Sequence, residues 1–188
     1  MNKGRIFIIS GPSGVGKDTL IKEVLPRIDG AFLSISLTTR SPRQGERDGI
    51  DYYFVSDEYF RAQVKEGRML EYADFCTVCY GTPRPPVDKA LGEGRPVILK
   101  IERDGMEQVR QIYPDVVTIF IAPPSSETLR HRLLKRNSDS EDAIERRLKR
   151  ALYEIEKSVD YMHKVVNDRL ETAADELEAI IKSYIRQP

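Results

Sequence analysis

Short apolar runs along the chain alternate with longer stretches whose apolar residues recur every three or four positions. The runs are Ile6-Phe7-Ile8-Ile9, Phe32-Leu33-Ser34-Ile35, Val97-Ile98-Leu99-Lys100-Ile101, Val116-Val117-Thr118-Ile119-Phe120-Ile121 and Lys164-Val165-Val166. Most are continuous and β-branched, which predicts strands buried on both faces. The periodic stretches predict helices over about 18–27, 104–112, 126–136, 141–162 and 173–186. Strand and helix in this rhythm predict an α/β fold with a mainly parallel, five-stranded sheet flanked by helices. Boundary residues agree: Pro114 follows one helix, Ser125 or Ser126 caps the next, Ser138-x-x-Glu141 is a capping-box pattern and Thr172-x-x-Asp175 resembles one.

The stretch 38–88 breaks the rhythm. It is rich in Arg, Tyr, Gly and Pro, and short strand-like pieces (Tyr52 to Val55, Met69 to Tyr72) surround one helix near 57–66. It is read as an insert, with Tyr59, Phe60 and Val64 as the buried stripe of its helix. The polar turn Asn137-Ser138-Asp139-Ser140 lies between arginine-bearing helices and marks 132–148 as a lid. The core is then 1–37, 89–131 and 149–188.

Composition narrows the options. Thirty Lys and Arg balance thirty Asp and Glu in 188 residues, so bulk positive charge for nucleic acid or an anionic membrane is lacking. No apolar run approaches the roughly 18 residues of a membrane span. Met1-Asn-Lys-Gly-Arg-Ile passes into a strand without a signal peptide's apolar region, so a cytoplasmic protein is expected. Cys76-Thr77-Val78-Cys79 has C-x-x-C spacing but lacks the second half of a zinc site, and is read as two unrelated small residues.

The chemistry begins at Gly11-Pro12-Ser13-Gly14-Val15-Gly16-Lys17, between the first strand and first helix. That context suits a G-x-x-x-x-G-K phosphate loop, whose main-chain N–H groups turn inward and whose lysine reaches the β and γ phosphates. ATP is therefore the expected ligand of residues 11–19. The next residue departs from the motif: Asp18 stands where a hydroxyl normally meets Mg2+, with Thr19 one place later. The metal is then expected to be held mainly by the ATP phosphates, with Asp18 as the candidate protein ligand.

The loop Ser36-Leu37-Thr38-Thr39-Arg40-Ser41-Pro42-Arg43-Gln44-Gly45-Glu46-Arg47-Asp48-Gly49-Ile50-Asp51-Tyr52-Tyr53-Phe54 carries two fork donors, Arg40 and Arg43, beside hydroxyls, which suits a terminal phosphate. This segment closely resembles the signature of the guanylate kinase family. The resemblance extends through Leu70-Glu71-Tyr72-Ala73, Tyr80-Gly81-Thr82, Ile119 to Ser125, the arginine-bearing helices and Val166-Asn167-Asp168. It implies a P-loop kinase core with a small mixed α/β GMP-binding insert and a helical lid, and phosphorylation of GMP, and of dGMP, by ATP with Mg2+. By position Ser36, Arg40, Arg43, Tyr52 and Tyr80 resemble the ligands of the GMP phosphate, and Glu71, Thr82 and Glu102 the guanine readers. Chemistry agrees, because a carboxylate accepts both N1–H and N2–H₂ of guanine, whereas adenine offers an acceptor at N1. Taken alone, Glu71 and Glu102 would read as solvated strand residues.

Between residues 130 and 150 lie eight basic residues and four acidic ones. Phosphoryl transfer sets the charges of two nucleotides side by side, so cations there neutralise the reacting phosphates. The resemblance assigns this to Arg132, Arg136 and Arg147 with Lys17, and places Asn167 near the adenine or ribose. Taken alone, Asn167 reads as a strand-ending turn. Lys100-Ile101-Glu102 replaces the family's Asp-Ile-Asp; Glu102 keeps the charge and Lys100 reverses it. An ion pair of Lys100 with Asp18 would conserve the local sum. Two further readings stand beside this one: a related kinase of another acceptor, such as the ribose bisphosphate phosphokinase family, and a non-enzymatic guanylate-kinase-like module that binds acidic peptides.

Overall fold

A computed structural model describes residues 4–75, 77–134 and 141–185. Arg136, Cys76 and residues 137–140, where a turn and a cap at Ser138 are expected, lie outside the described residues. In chain order the elements are β1 (Ile6–Ser10), α1 (Lys17–Val24), β2 (Phe32–Leu33), β3 (Leu37–Thr38), β4 (Tyr53–Phe54), α2 (Asp57–Lys65), β5 (Met69–Phe75), β6 (Val78–Pro83), α3 (Arg84–Gly92), β7 (Val97–Lys100), α4 (Arg103–Ile112), β8 (Val117–Ala122), α5 (Ser126–Leu134), α6 (Glu141–Glu156), β9 (His163–Val166) and α7 (Leu170–Ile185). Five strands form a sheet in the order β2-β7-β1-β8-β9, with β2 on β7, β1 on β8 and β8 on β9 all parallel. Four others form a mixed sheet in the order β4-β3-β6-β5.

The contacts divide the chain into two compact units, Phe7–Ala31 with Val117–Pro188 and Met1–Ile6 with Phe32–Val116. In the first, β8 is buried at all six positions, as its unbroken apolar run predicts for a strand covered on both faces. Pro26 ends α1 early, because proline cannot extend the hydrogen-bond ladder, and a 3-10 turn Leu25–Arg27 follows. Ser125 caps α5 by accepting the Thr128 N–H at 3.1 Å. Leu129 and Leu133 of α5 pack on Ile144 and Ala151 of α6. The helix α6 is shorter than the periodicity predicts and passes into a 3-10 turn, Lys157–Asp160. The expected cap at Thr172 is not one: α7 begins at Leu170, and Ala173 N–H already bonds the Arg169 carbonyl at 3.0 Å.

In the other unit the mixed sheet packs on α2 through Leu37, Phe60, Met69 and Cys79, with Val55 and Val64 at the edge. Phe60 and Val64, four residues apart, form the predicted stripe. Tyr59, about 100° round the helix from Phe60, is half exposed instead. The sequence gives no hint of α3, because Pro85 and Pro86 look like breakers. They fall in its first turn, where N–H groups have no intrahelical partner to lose. A register shift between Met69 and Glu71 places a bulge in β5, and Met69, Leu70 and Glu71 are buried in succession rather than alternately.

Candidate active site

The phosphate loop joins β1 to α1, and Gly16 occupies the cap position of α1 with φ at +94°. A side chain is excluded there twice over, since a Cβ on Gly16 would also lie 2.7 Å from Nδ2 of Asn167. Asn167 is buried, and its Nδ2 donates to the Val15 carbonyl at 2.8 Å. Its own main chain is anchored, with N–H on the Ala122 carbonyl at 2.8 Å and its carbonyl accepting both terminal nitrogens of Arg132 at 3.0 Å. Arg132 also donates to the Val15 carbonyl at 3.3 Å. In a trans peptide C=O and N–H point opposite ways. Pinning the Val15 carbonyl therefore aims the Gly16 N–H to the other side, into position for an anion.

Lys17 folds its ammonium back onto the carbonyls of Gly11 and, at 3.2 Å, Pro12. Asp18 and Thr19 lie exposed in the first turn of α1, and Arg147 is half-buried on α6. Pro12 is buried, Gly11 and Gly14 are half-buried, and Ser13 is exposed at the turn.

The other unit assembles a second cluster. Arg40 donates from Nε to the Tyr80 hydroxyl at 3.1 Å and from its two terminal nitrogens to the two oxygens of Glu46 at 2.6 and 2.8 Å. Its guanidinium carbon stands 5.1 Å from the Tyr52 ring centre, and Tyr52 meets Tyr80 edge to face at 5.9 Å. The fork bonds hold the Glu46 carboxyl down at about 2 and push the Arg40 pKa further above its ordinary value. Arg43 is exposed, and its N–H donates to Glu46 at 2.8 Å. The Ser36 carbonyl accepts the Tyr53 N–H at 2.9 Å, which tethers the loop's start to its end. The Lys100 ammonium lies 5.3 Å from the Tyr52 ring centre. The structure thus brings Tyr52, Tyr80 and Glu46 together around Arg40, and Glu46 is a residue of the signature to which the sequence assigns no role.

Glu71 is buried at 6% exposure and takes a 2.6 Å hydrogen bond from the Thr82 hydroxyl, itself buried. Burial pushes its carboxyl up to about 7, the Thr82 bonds oppose that, and the charge of Glu102 adds to it. The bulge in β5 turns this side chain inward. Glu102 is the exposed residue before α4, not a strand residue. Cys79 is buried, bonded to Asp74 at 2.8 Å and pushed up to about 11 by burial, which suits an inert thiol. Among the described residues no cluster of His, Cys, Asp and Glu is built to hold a metal, and no helix is long and apolar enough to cross a membrane.

A parallel sheet, a phosphate loop closed by Gly16-Lys17 at a helix start and an arginine bound to that loop define a P-loop α/β protein. The family model for guanylate kinase matches residues 3–184. A guanylate kinase of Synechococcus sp. (strain CC9902) is 47% identical over 177 residues, 94% of this chain and 95% of that protein. One from Synechococcus elongatus is 48% identical over 183 residues, 97% of this chain and all of that protein. The crystal structure of guanylate kinase from Anaplasma phagocytophilum superposes with a TM-score of 0.80 at 32% identity, covering 99% of this chain and 88% of that one. The chain belongs to the guanylate kinase family.

Proposed function

We infer that this chain transfers the γ-phosphoryl group of ATP to GMP, giving ADP and GDP, and that its two clusters divide the work. The observation that carries the assignment of residues is the buried Glu71 carboxyl, held by Thr82 in the same unit as the Arg40–Tyr52–Tyr80 group. A buried carboxylate facing a base needs two donors, which guanine supplies on one edge and adenine does not. Thr82 fixes one oxygen of Glu71, and Glu102 supplies the second carboxylate. Arg40, Arg43, Tyr52, Tyr80 and the Ser36 hydroxyl receive the GMP phosphate, which is already an anion and needs no catalytic base.

On the donor side the loop N–H groups from Gly11 to Thr19 cradle the ATP phosphates, and Asn167 with Arg132 holds the loop open to them. Lys17, on leaving its two carbonyls, reaches the β and γ phosphates. Arg147 and Arg136 neutralise charge that grows during transfer. The exposed carboxylate of Asp18 is a hard oxygen donor in the loop's own helix turn, and it fits Mg2+ shared with the phosphates. When bound, that ion supplies charge neutralisation and orientation of the phosphate chain. The same reading includes dGMP as an acceptor and a cytoplasmic setting in purine nucleotide metabolism.

The test is ATP consumption with GMP, dGMP, AMP, UMP and ribose bisphosphate as acceptors. GMP is expected to lead AMP by at least about 10³-fold in kcat/KM. Comparable turnover of AMP would remove the guanine assignment, and turnover of ribose bisphosphate above GMP would favour the other kinase family.

A further inference from the structure

The helix α4 meets the edge strand β5 at two points, through Gln108 and Gly105, to which the reading above gives no role. Gln108 turns its amide onto the main chain of Tyr72, its Nε2 donating to the Tyr72 carbonyl at 2.9 Å and its Oε1 accepting the Tyr72 N–H at 3.1 Å. One side chain thus satisfies both main-chain groups of an edge residue, as a neighbouring strand would. A two-point bond fixes position along the strand as well as contact. Met106 and Val109, fully buried on α4, fix the helix's roll.

Three residues before Gln108, on the same helix face, is buried Gly105. A Cβ built there would lie 2.6 Å from Oε2 of Glu71, closer than side chains approach, and 3.0 Å from its Cδ. Glycine is a poor helix former, so the position is occupied at a cost that the clearance for Glu71 explains. The cap of the same helix is Glu102. One rigid element therefore carries the second carboxylate, the space for the first, and the clamp that registers both.

We propose that Gly105 and Gln108 are specificity-positioning residues. Gln108 sets α4 in register on β5, and Gly105 opens the space that lets the Glu71 carboxyl stand against the base with Glu102 beside it. Neither touches the nucleotide; both act through the two carboxylates, so this rests on the reading of Glu71 and Glu102 given above. Disturbing either residue changes which purine is chosen, and leaves the handling of ATP as it was.

The experiment compares kcat and KM for GMP, IMP and AMP in the wild type, Gly105→Ala, Gln108→Ala, Glu71→Gln and Glu71→Gln with Gly105→Ala. Gly105→Ala is expected to raise the GMP KM and to lower the GMP-to-AMP ratio of kcat/KM, each by about tenfold or more, with the ATP KM unchanged. Gln108→Ala should move both the same way by about three- to fivefold, since solvent replaces its bonds to Tyr72. Because Gly105 acts through Glu71, its substitution should add almost nothing to the ratio once Glu71 is an amide. An unchanged ratio in both Gly105→Ala and Gln108→Ala, with Glu71→Gln lowering it, overturns this inference alone. An unchanged ratio in Glu71→Gln overturns the guanine reading itself. If Gly105→Ala fails to fold, Gln108→Ala decides, and an equal loss with all three acceptors there marks a merely structural residue.

Discussion

In the proposed function the phosphate loop and the acceptor pocket solve the same problem, holding an anionic nucleotide, with different parts of the chain. The loop is nine consecutive residues, 11–19, and its main donors are main-chain N–H groups. Its orientation comes from a carbonyl pinned by Asn167 and Arg132. The pocket is built from side chains scattered from Ser36 to Glu102, and its members are already engaged with one another: Arg40 with Glu46 and Tyr80, Glu71 with Thr82. Main-chain donors cannot be mutated away and bind any phosphate. Side-chain clusters can choose a base, but each member depends on its neighbours for alignment and for charge.

The largest contrast should appear on substituting the cation of the loop. Lys17→Ala is expected to lower kcat by at least about 10²-fold with little change in the thermal midpoint, because its charge matters mainly to the transition state. Arg147→Ala should behave alike. A large fall in midpoint would mean instead that these side chains hold the fold together.

On the acceptor side Glu71→Gln is expected to lower the GMP-to-AMP ratio by about 10²-fold, since an amide leaves one guanine donor without an acceptor. The measurement is kcat/KM for both acceptors, and a fall confined to the ATP KM would blur the contrast between the regions.

Smaller, and sharper as a comparison, is Glu46→Gln. An amide keeps one bond to Arg40 and loses the fork, so the guanidinium is no longer fixed in its plane. The GMP KM should rise by about tenfold with the ATP KM unchanged, and Glu46→Asp should recover part of the loss. A fall in the GMP KM would show that Glu46 competes with the phosphate for Arg40 rather than positioning it.

The smallest effect is one of pH. With its carboxyl at about 7, Glu71 is largely protonated in the empty pocket below that value, and guanine's two donors need it ionised. The GMP KM should therefore fall by a few-fold as pH rises through about 7, and in Glu71→Gln only the part due to the phosphate's own ionisation, near 6, should remain. The stability sign is opposite. A carboxyl raised from 4.5 to about 7 on folding favours the native state at low pH, and that contribution is lost as pH rises from 4.5 through 7. Glu71→Gln should thus gain in midpoint relative to the wild type at about pH 8 compared with about pH 5, a difference scanning calorimetry reads directly.

The two regions also differ in how far each can be read from the chain. The central strands of the large sheet, β1, β7 and β8, are apolar runs buried nearly throughout, and the loop's glycines and lysine are contiguous; local sterics and burial settle both, so the pattern alone determined them. Sequence also determined which carboxylates and arginines were available to a pocket. It did not determine that Asn167 and Arg132 grip the Val15 carbonyl, because residues 15, 132 and 167 meet only when the strands and helices of their unit are packed. Nor did it reveal the bulge that turns Glu71 inward, the pairing of Glu46 with Arg40, or the clamp of Gln108 on Tyr72. A bulge leaves no residue signature in β5, and glutamine on a helix face looks like any solvated residue. Nothing in the sequence around Gly105 shows that it faces the Glu71 carboxyl. Main-chain sites follow local rules that the sequence writes out in order, whereas side-chain sites depend on register between elements, which only the tertiary packing sets.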